Sequence, residues 1–267
     1  MRKLSIAHLS AIELAPPAFI HAASDAGFDA VGLRLRRVTP TSPGYPLMDD
    51  PAMMRATQAA LRATGLAVHD VEFLKIEPGL VLRDLDPLLD AGAALGAREV
   101  ICAPYDPDLG RLADTLGTLA ERAGARGIGV SLEFFPWTVV PTLEAALSVV
   151  TQAGEGVGIL PDALHFDRSN SRLPTLAGLG PERLRFAHLC DAPVLPRYEE
   201  ETLLFTAREE RLPPGEGQID LAAFLGALPA DLPLGLEVPR TRRTAEVGAA
   251  QVMQEIMAAT RRVLALV

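Results

Sequence analysis

What this sequence has little of narrows it first. Its two cysteines, Cys102 and Cys190, give neither a zinc-ribbon spacing nor a disulfide framework, so a reducing compartment is expected. Positive charge is in deficit. With 25 Lys and Arg against 34 Asp and Glu, the net charge of −9 argues against a nucleic-acid groove, because phosphate binding needs clustered cations. No uninterrupted apolar stretch approaches the roughly 18 residues of a membrane span. The opening Met1-Arg-Lys-Leu-Ser-Ile6 runs straight into strand-like residues without an apolar signal core. A cytoplasmic protein with neither membrane nor nucleic-acid partners is therefore expected. The first strand is not followed by Gly-x-Gly-x-x-Gly, which makes a dinucleotide-binding open sheet the lesser alternative.

What is present reads as one globular core. Hydrophobic residues are 49% and charged residues 22% of the chain, a balance that excludes disorder. Apolar runs bounded by Gly, Pro and caps alternate with helical patterns along the whole length. Strands are expected at Leu4 to Leu9, Ala30 to Leu35, Ala67 to Phe73, Glu99 to Ala103 and Gly129 to Phe134. Three more are read in the stretches Val157 to His165, Leu184 to Asp191 and Leu234 to Pro239, with helices between and a long Ala/Met/Leu helix from Thr244. Two long loops interrupt the pattern, Arg36 to Asp49 and Ala192 to Gln218, and a polar loop from Arg168 to Pro174 has room for only a short helix. Eight strand–helix units without a linker predict an α/β fold, a (β/α)8 TIM barrel forming a single domain over residues 1–267.

The strand at Gly129-Val-Ser-Leu-Glu133 organises the chemistry. Glu133 stands at its C-terminal end, the edge where barrel loops gather ligands. The later runs end likewise in metal-capable groups: Asp162, His188 and Glu237. One Glu at a strand end is ordinarily a salt-bridge or capping residue. Four such groups on consecutive strands converge on one axis in a barrel, which favours a divalent-metal site. Three carboxylates and an imidazole suit Mn first, with Mg, Co, Zn or Fe as alternatives. His165, three residues after Asp162, reads as a neutral imidazole for a substrate oxygen, against a plain surface histidine. Glu72 at the end of the third strand faces the same crevice, with a salt bridge to an arginine equally open. Asp191 either orients ligands or caps the next loop, and Pro214-Gly-Glu-Gly217 is a weak phosphate cradle or simply a turn.

Together the four strand-end groups, Asp162-x-x-His165, His188-Leu-Cys-Asp191 and the Pro-Gly-Glu-Gly turn resemble the xylose isomerase-like barrel superfamily, nearest its sugar phosphate isomerase/epimerase group. The resemblance implies that Glu133, Asp162, His188 and Glu237 hold the metal, that Glu133 and Glu237 also act as acid and base, and that His165 binds substrate. The implied activity is isomerisation or epimerisation of a small sugar or polyhydroxy ketone through an enediolate. The alternative is a dehydratase acting on an inosose or 3-dehydroshikimate. A DNA-repair endonuclease needs several zinc ions and many histidines, and this chain has five in all, with His8 and His21 reading as remote from the site. A barrel that binds sugar without turnover is the bland reading. Many relatives carry a cationic residue where this chain has Cys190; Arg197 or Arg211 from the long loop are the candidate substitutes. Relatives are commonly dimers or tetramers, so a homo-oligomer is expected, with the C-terminal helix either supplying an interface or packing on the barrel.

Overall fold

The computed structural model describes residues 2–39 and 42–266. Pro40 and Thr41, within the first of the two long loops, lie outside the described residues, as do Met1 and Val267. The strands are β1 (Leu4–Ile6), β2 (Ala30–Arg34), β3 (Ala67–Ile76), β4 (Glu99–Pro104), β5 (Gly129–Glu133), β6 (Val157–Leu160), β7 (Ala187–Leu189) and β8 (Leu234–Leu236). All pair in parallel in the order β6-β5-β4-β3-β2-β1-β8-β7. Single bridges from Ile159 to Leu184 and from Asp162 to His188 join the two ends, giving a nearly closed eight-stranded TIM barrel.

The helices in chain order are α1 (Pro16–Ala26), α2 (Pro51–Thr64), α3 (Asp86–Ala94), α4 (Leu109–Gly124), α5 (Leu143–Ala153), α6 (Ala163–Arg168), α7 (Leu173–Ala177), α8 (Glu200–Arg208), α9 (Leu221–Gly226), α10 (Thr241–Val247) and α11 (Ala249–Leu264). Their starts follow local chemistry. Asp50, Asp108, Thr142 and Asp220 each accept backbone N–H groups of the first turn, and Pro51 pre-sets the φ of the first turn of α2. α1 and α2 stop at Gly27 and Gly65, both left-handed.

Alternation along the strands divides the interior into two cores. Val100 and Cys102 join the large cluster under the helices, whereas Ile101 between them packs with Leu160 and Phe186 in a small separate cluster. α11 buries Val252, Met253, Ile256 and Met257 and packs on α1, so the C-terminal helix belongs to the barrel wall. Among the described residues no helix is long and apolar enough to cross a membrane.

Four local features depart from the expectations. β1 ends at Ile6 rather than Leu9, because the chain turns into a 3-10 helix, His8–Ala11. Ser10 pins that turn to β8, donating to the Leu236 carbonyl and accepting the Val238 N–H. β3 continues to Ile76, since Leu74 to Ile76 pair with Cys102 to Pro104. The Ala192–Gln218 connection contains α8, and the final helix is split at Gly248, whose φ of 83° breaks the α-helical ladder.

Candidate metal centre

At the C-terminal mouth of the barrel, Glu133, Asp162, His188 and Glu237 each offer a ligand atom, and these atoms lie within 4.8 Å of one another. All four side chains are buried. His188 Nδ1 stands 3.9 Å from Glu133 Oε1 and 3.7 Å from both Asp162 Oδ2 and Glu237 Oε2. Those separations are too long for hydrogen bonds and fit donors spaced around a common ion. Glu133 Oε1 and His188 Nδ1 have no hydrogen-bond partner despite full burial, an uncommon state for polar atoms. Three converging carboxylates create a field that calls for a cation. Against the cost of burial, the contact to Glu237 and the charges of Glu237, Glu133 and Asp162 push the His188 imidazole up to about 10. A divalent ion would displace that proton. The donor set, one imidazole nitrogen and carboxylate oxygens, fits Mn, Zn or a similar ion.

Two of the donors, Asp162 and Glu237, are held by further hydrogen bonds. Asp162 caps α6: its Oδ1 accepts from Leu164 N at 2.7 Å and His165 N at 3.3 Å, which leaves Oδ2 turned to the cluster. His188 fits because Gly235 lies beside it on β8. A Cβ on Gly235 would come within 2.7 Å of His188 Cδ2. Burial and the Glu237 charge hold the Glu133 carboxyl well above the ordinary range. Glu237 goes the other way, because Arg211 and His188 outweigh burial and keep it far below. Two carboxylates in one site thus differ in proton affinity.

Of the two loop arginines, Arg211 enters the site. It is fully buried, and its Nη1 donates to Asp162 Oδ2 at 2.7 Å while Nη2 donates to Glu237 Oε2 at 2.6 Å. Cys190 Sγ lies 3.5 Å from Nη1. Arg197 is exposed and pairs with Glu199. Asp191 explains how a residue 23 positions after His188 gets there. Leu212 and Asp191 exchange two backbone hydrogen bonds of 2.8 Å, and Arg211 N donates to the Pro239 carbonyl. The Asp191 carboxylate accepts from the N–H groups of Ala192, Gly215 and Ile219. Asp191 is therefore a loop-capping residue, and the Pro-Gly-Glu-Gly segment is a turn folded onto it.

His165 lies 3.9 Å from Glu133 Oε1 and meets Phe135 and Trp137 edge-on, with ring centroids 4.8 and 5.2 Å away. Burial lowers it to about 4, so it is neutral at ordinary pH, and its Nδ1 has no partner. Glu72 is buried, but both oxygens are committed. Oε2 accepts from Arg34 Nη2 at 2.7 Å, and Oε1 takes the His8 N–H. The group that lines the cavity at this corner is Arg34. His8 also departs from its expected remoteness. It is buried beside that pair, with Nδ1 accepting the Arg34 N–H and Nε2 donating to the Leu14 carbonyl. Its position near the end of the first expected strand, Leu4 to Leu9, is the available signal. Above the centre opens a cavity of about 910 Å³, lined by Glu133, His165, Arg211 and Glu237 and walled by Phe73, Tyr105, Phe135 and Trp137.

Comparison with known proteins agrees with this architecture. The xylose isomerase-like TIM barrel family model matches residues 20–262. A 3-dehydroshikimate dehydratase of Pseudomonas aeruginosa is 36% identical over 132 residues, 48% of this chain and 20% of that protein. An inosose isomerase of Bacillus velezensis is 27% identical over 159 residues, 55% of each chain. The chain thus spans about half, or less, of the curated relatives it matches. Among solved structures, an IolI protein with a bound zinc atom superposes with a TM-score of 0.82 at 20% identity, covering 98% of both chains. The 3-keto-D-glucoside 4-epimerase of E. coli gives 0.73 at 18% identity, covering 98% of this chain and 100% of that one.

Proposed function

The chain belongs to the xylose isomerase-like TIM barrel family, and from that premise we propose that it is a divalent-metal-dependent isomerase or epimerase of a small sugar or polyhydroxy ketone. The observation that carries this reading is the convergence of Glu133, Asp162, His188 and Glu237 within 4.8 Å at the floor of a cavity that both glutamates line. Glu133, Asp162, His188 and Glu237 would hold the ion, Mn in first place and Zn, Co, Fe or Mg as alternatives, and it would supply electrophilic polarisation of the substrate.

The remaining work falls to side chains. Glu133 at the end of β5 and Glu237 just after β8 flank the centre, so one can remove the C–H proton next to the carbonyl and the other return a proton on the opposite face of the enediolate. Their unequal proton affinities suit that division. His165, neutral and with an unsatisfied ring nitrogen, is suited to hydrogen-bond a substrate oxygen. Arg211 supplies the cation expected near position 190, bound to Asp162 and Glu237 and facing the cavity. Glu72 acts through Arg34, which it orients.

A dehydratase is the second reading, favoured by the 36% identity to the dehydroshikimate enzyme. Both begin with the same deprotonation, and the dehydratase then expels a β-hydroxyl. The test is incubation of metal-loaded protein with ketoses in heavy water. Deuterium at the carbon next to the carbonyl, absent with Glu133→Gln and Glu237→Gln, supports the isomerase or epimerase. A new ultraviolet-absorbing enone or aromatic acid identifies the dehydratase instead, and no exchange with any ketose by metal-loaded protein overturns the first reading.

A further inference from the structure

One row of inward-facing residues runs from a candidate ligand across three neighbouring strands. β7 pairs with β8 at His188 and Gly235, and β1 pairs with β8 at Ser5 and Gly235, so His188, Gly235 and Ser5 stand abreast. The residues flanking them along the strands, Ala187, Leu189, Leu234, Leu236, Leu4 and Ile6, all belong to the large cluster under the helices. By the two-residue period of a strand the row itself points the other way, into the barrel.

The glycine in the middle of that row makes room for the His188 ring. Around the spot that a Gly235 Cβ would occupy, the three nearest heavy atoms are His188 Cδ2 at 2.7 Å, His188 Nε2 at 3.1 Å and Ser5 Oγ at 3.3 Å. The far nitrogen of the ring and the serine hydroxyl thus border one point, reached from the strands on either side of β8. Both residues are buried, and His188 Nε2 has no hydrogen-bond partner. The other ring nitrogen, Nδ1, faces the carboxylates of Glu133, Asp162 and Glu237. With Nδ1 given to an ion, a neutral imidazole carries its proton on Nε2, and a buried N–H without an acceptor is costly. Metal-bound histidines ordinarily donate that second N–H to a fixed acceptor, which sets the tautomer and the ring orientation. A serine oxygen has lone pairs for this and turns about a single side-chain bond.

We propose that Ser5 is the positioning residue of the candidate metal ligand His188: its Oγ accepts the Nε2–H across Gly235 and so keeps Nδ1 turned to the ion. Ser5 stands apart from the residues that line the cavity, so it acts through His188 and not on substrate. The assignment rests on the metal reading of the site, and the experiment separates the two. Zinc affinity would be measured by competition with a chromophoric chelator for wild type and Ser5→Ala, and the zinc-loaded proteins would be studied by NMR with isotope-labelled histidine. Ser5→Ala should bind zinc about tenfold more weakly, the lower end of the usual cost of losing such a partner. In wild type the His188 Nε2–H, identified by its absence from His188→Gln, should resonate downfield as a hydrogen-bonded proton. Ser5→Ala should move that resonance upfield and leave the other histidines in place, which a general loosening of the barrel would not do. Zinc affinity equal to wild type in Ser5→Ala, or an Nε2–H resonance that the substitution does not move, overturns the assignment and leaves the metal reading standing. So does a wild-type Nε2–H at the position of a free imidazole, a result that needs no variant. Wild type that binds no zinc overturns both.

Discussion

Arg211 carries the heaviest electrostatic burden of any single residue. Its guanidinium is fully buried between Asp162 and Glu237, and those anions hold its proton against the cost of burial. Removing one partner of a buried pair strands the others, a loss of about 3–5 kcal/mol. Arg211→Met should therefore lower the melting temperature of metal-free protein, and added Mn should restore much of it, because the ion neutralises the same carboxylates. Calorimetry with and without metal checks this; equal melting curves for wild type and variant would contradict it. His8 makes the protein acid-sensitive. Burial, foremost, and Arg34 drive it down to about 3 from an unfolded value near 6.5, despite its bond to Leu14. Between those values the unfolded chain binds a proton that the folded chain refuses, so the stability present above pH 6.5 is lost as pH falls toward 3. One fully titrating group changes stability by about 1.4 kcal/mol per pH unit. Urea unfolding from pH 7 to 4 should show this limb, and His8→Gln should make it shallower; an unchanged slope would show that His8 is not its source.

At the scale of elements, the β6–α6 junction does two jobs with one carboxylate. Asp162→Asn keeps an oxygen for the Leu164 and His165 N–H groups but gives up the charge that pairs with buried Arg211, so it should weaken metal binding and destabilise the metal-free protein, whereas Asp162→Ala should also lose the cap, about 1 kcal/mol more. Metal titration beside denaturant unfolding separates the two effects. Gly235→Ala should impair metal binding although Gly235 is no ligand, since its new methyl would press on the His188 ring. Metal affinity equal to wild type would refute that packing argument. These elements also show what the sequence could and could not reveal. Apolar runs that end in Glu, Asp, His and Glu expose the four donors, because strand period and strand order put their ends on one rim. Arg211 was no more than a candidate beside Arg197, since its arrival depends on the Asp191–Leu212 pairing within a connection that has no local periodicity. α8 was missed in that same stretch. Gly235 reads as an ordinary small residue until the His188 ring is seen against it. The engagement of Glu72 with Arg34 and His8 joins β3, β2 and the turn after β1, a contact that no local pattern encodes.

For the molecule as a whole, the eight-fold alternation predicted the barrel, and the structure nearly closes it through two bridges, one of which, Asp162–His188, joins two of the candidate donors themselves. Closure of the barrel and the gathering of the four candidate ligands are thus linked. Metal should stabilise the folded chain, so chelation should lower its melting temperature in proportion to how much better the folded state binds the ion. Metal binding should also weaken as pH falls, because the ion competes with the proton on His188. The most direct test of the account is elemental analysis of purified wild type, Glu133→Gln and His188→Ala after reconstitution with Mn, Zn, Co or Fe. It predicts close to one ion per wild-type chain and loss of that ion in both folded variants. Wild-type protein that stays metal-free after reconstitution, or variants that keep the ion, would contradict it.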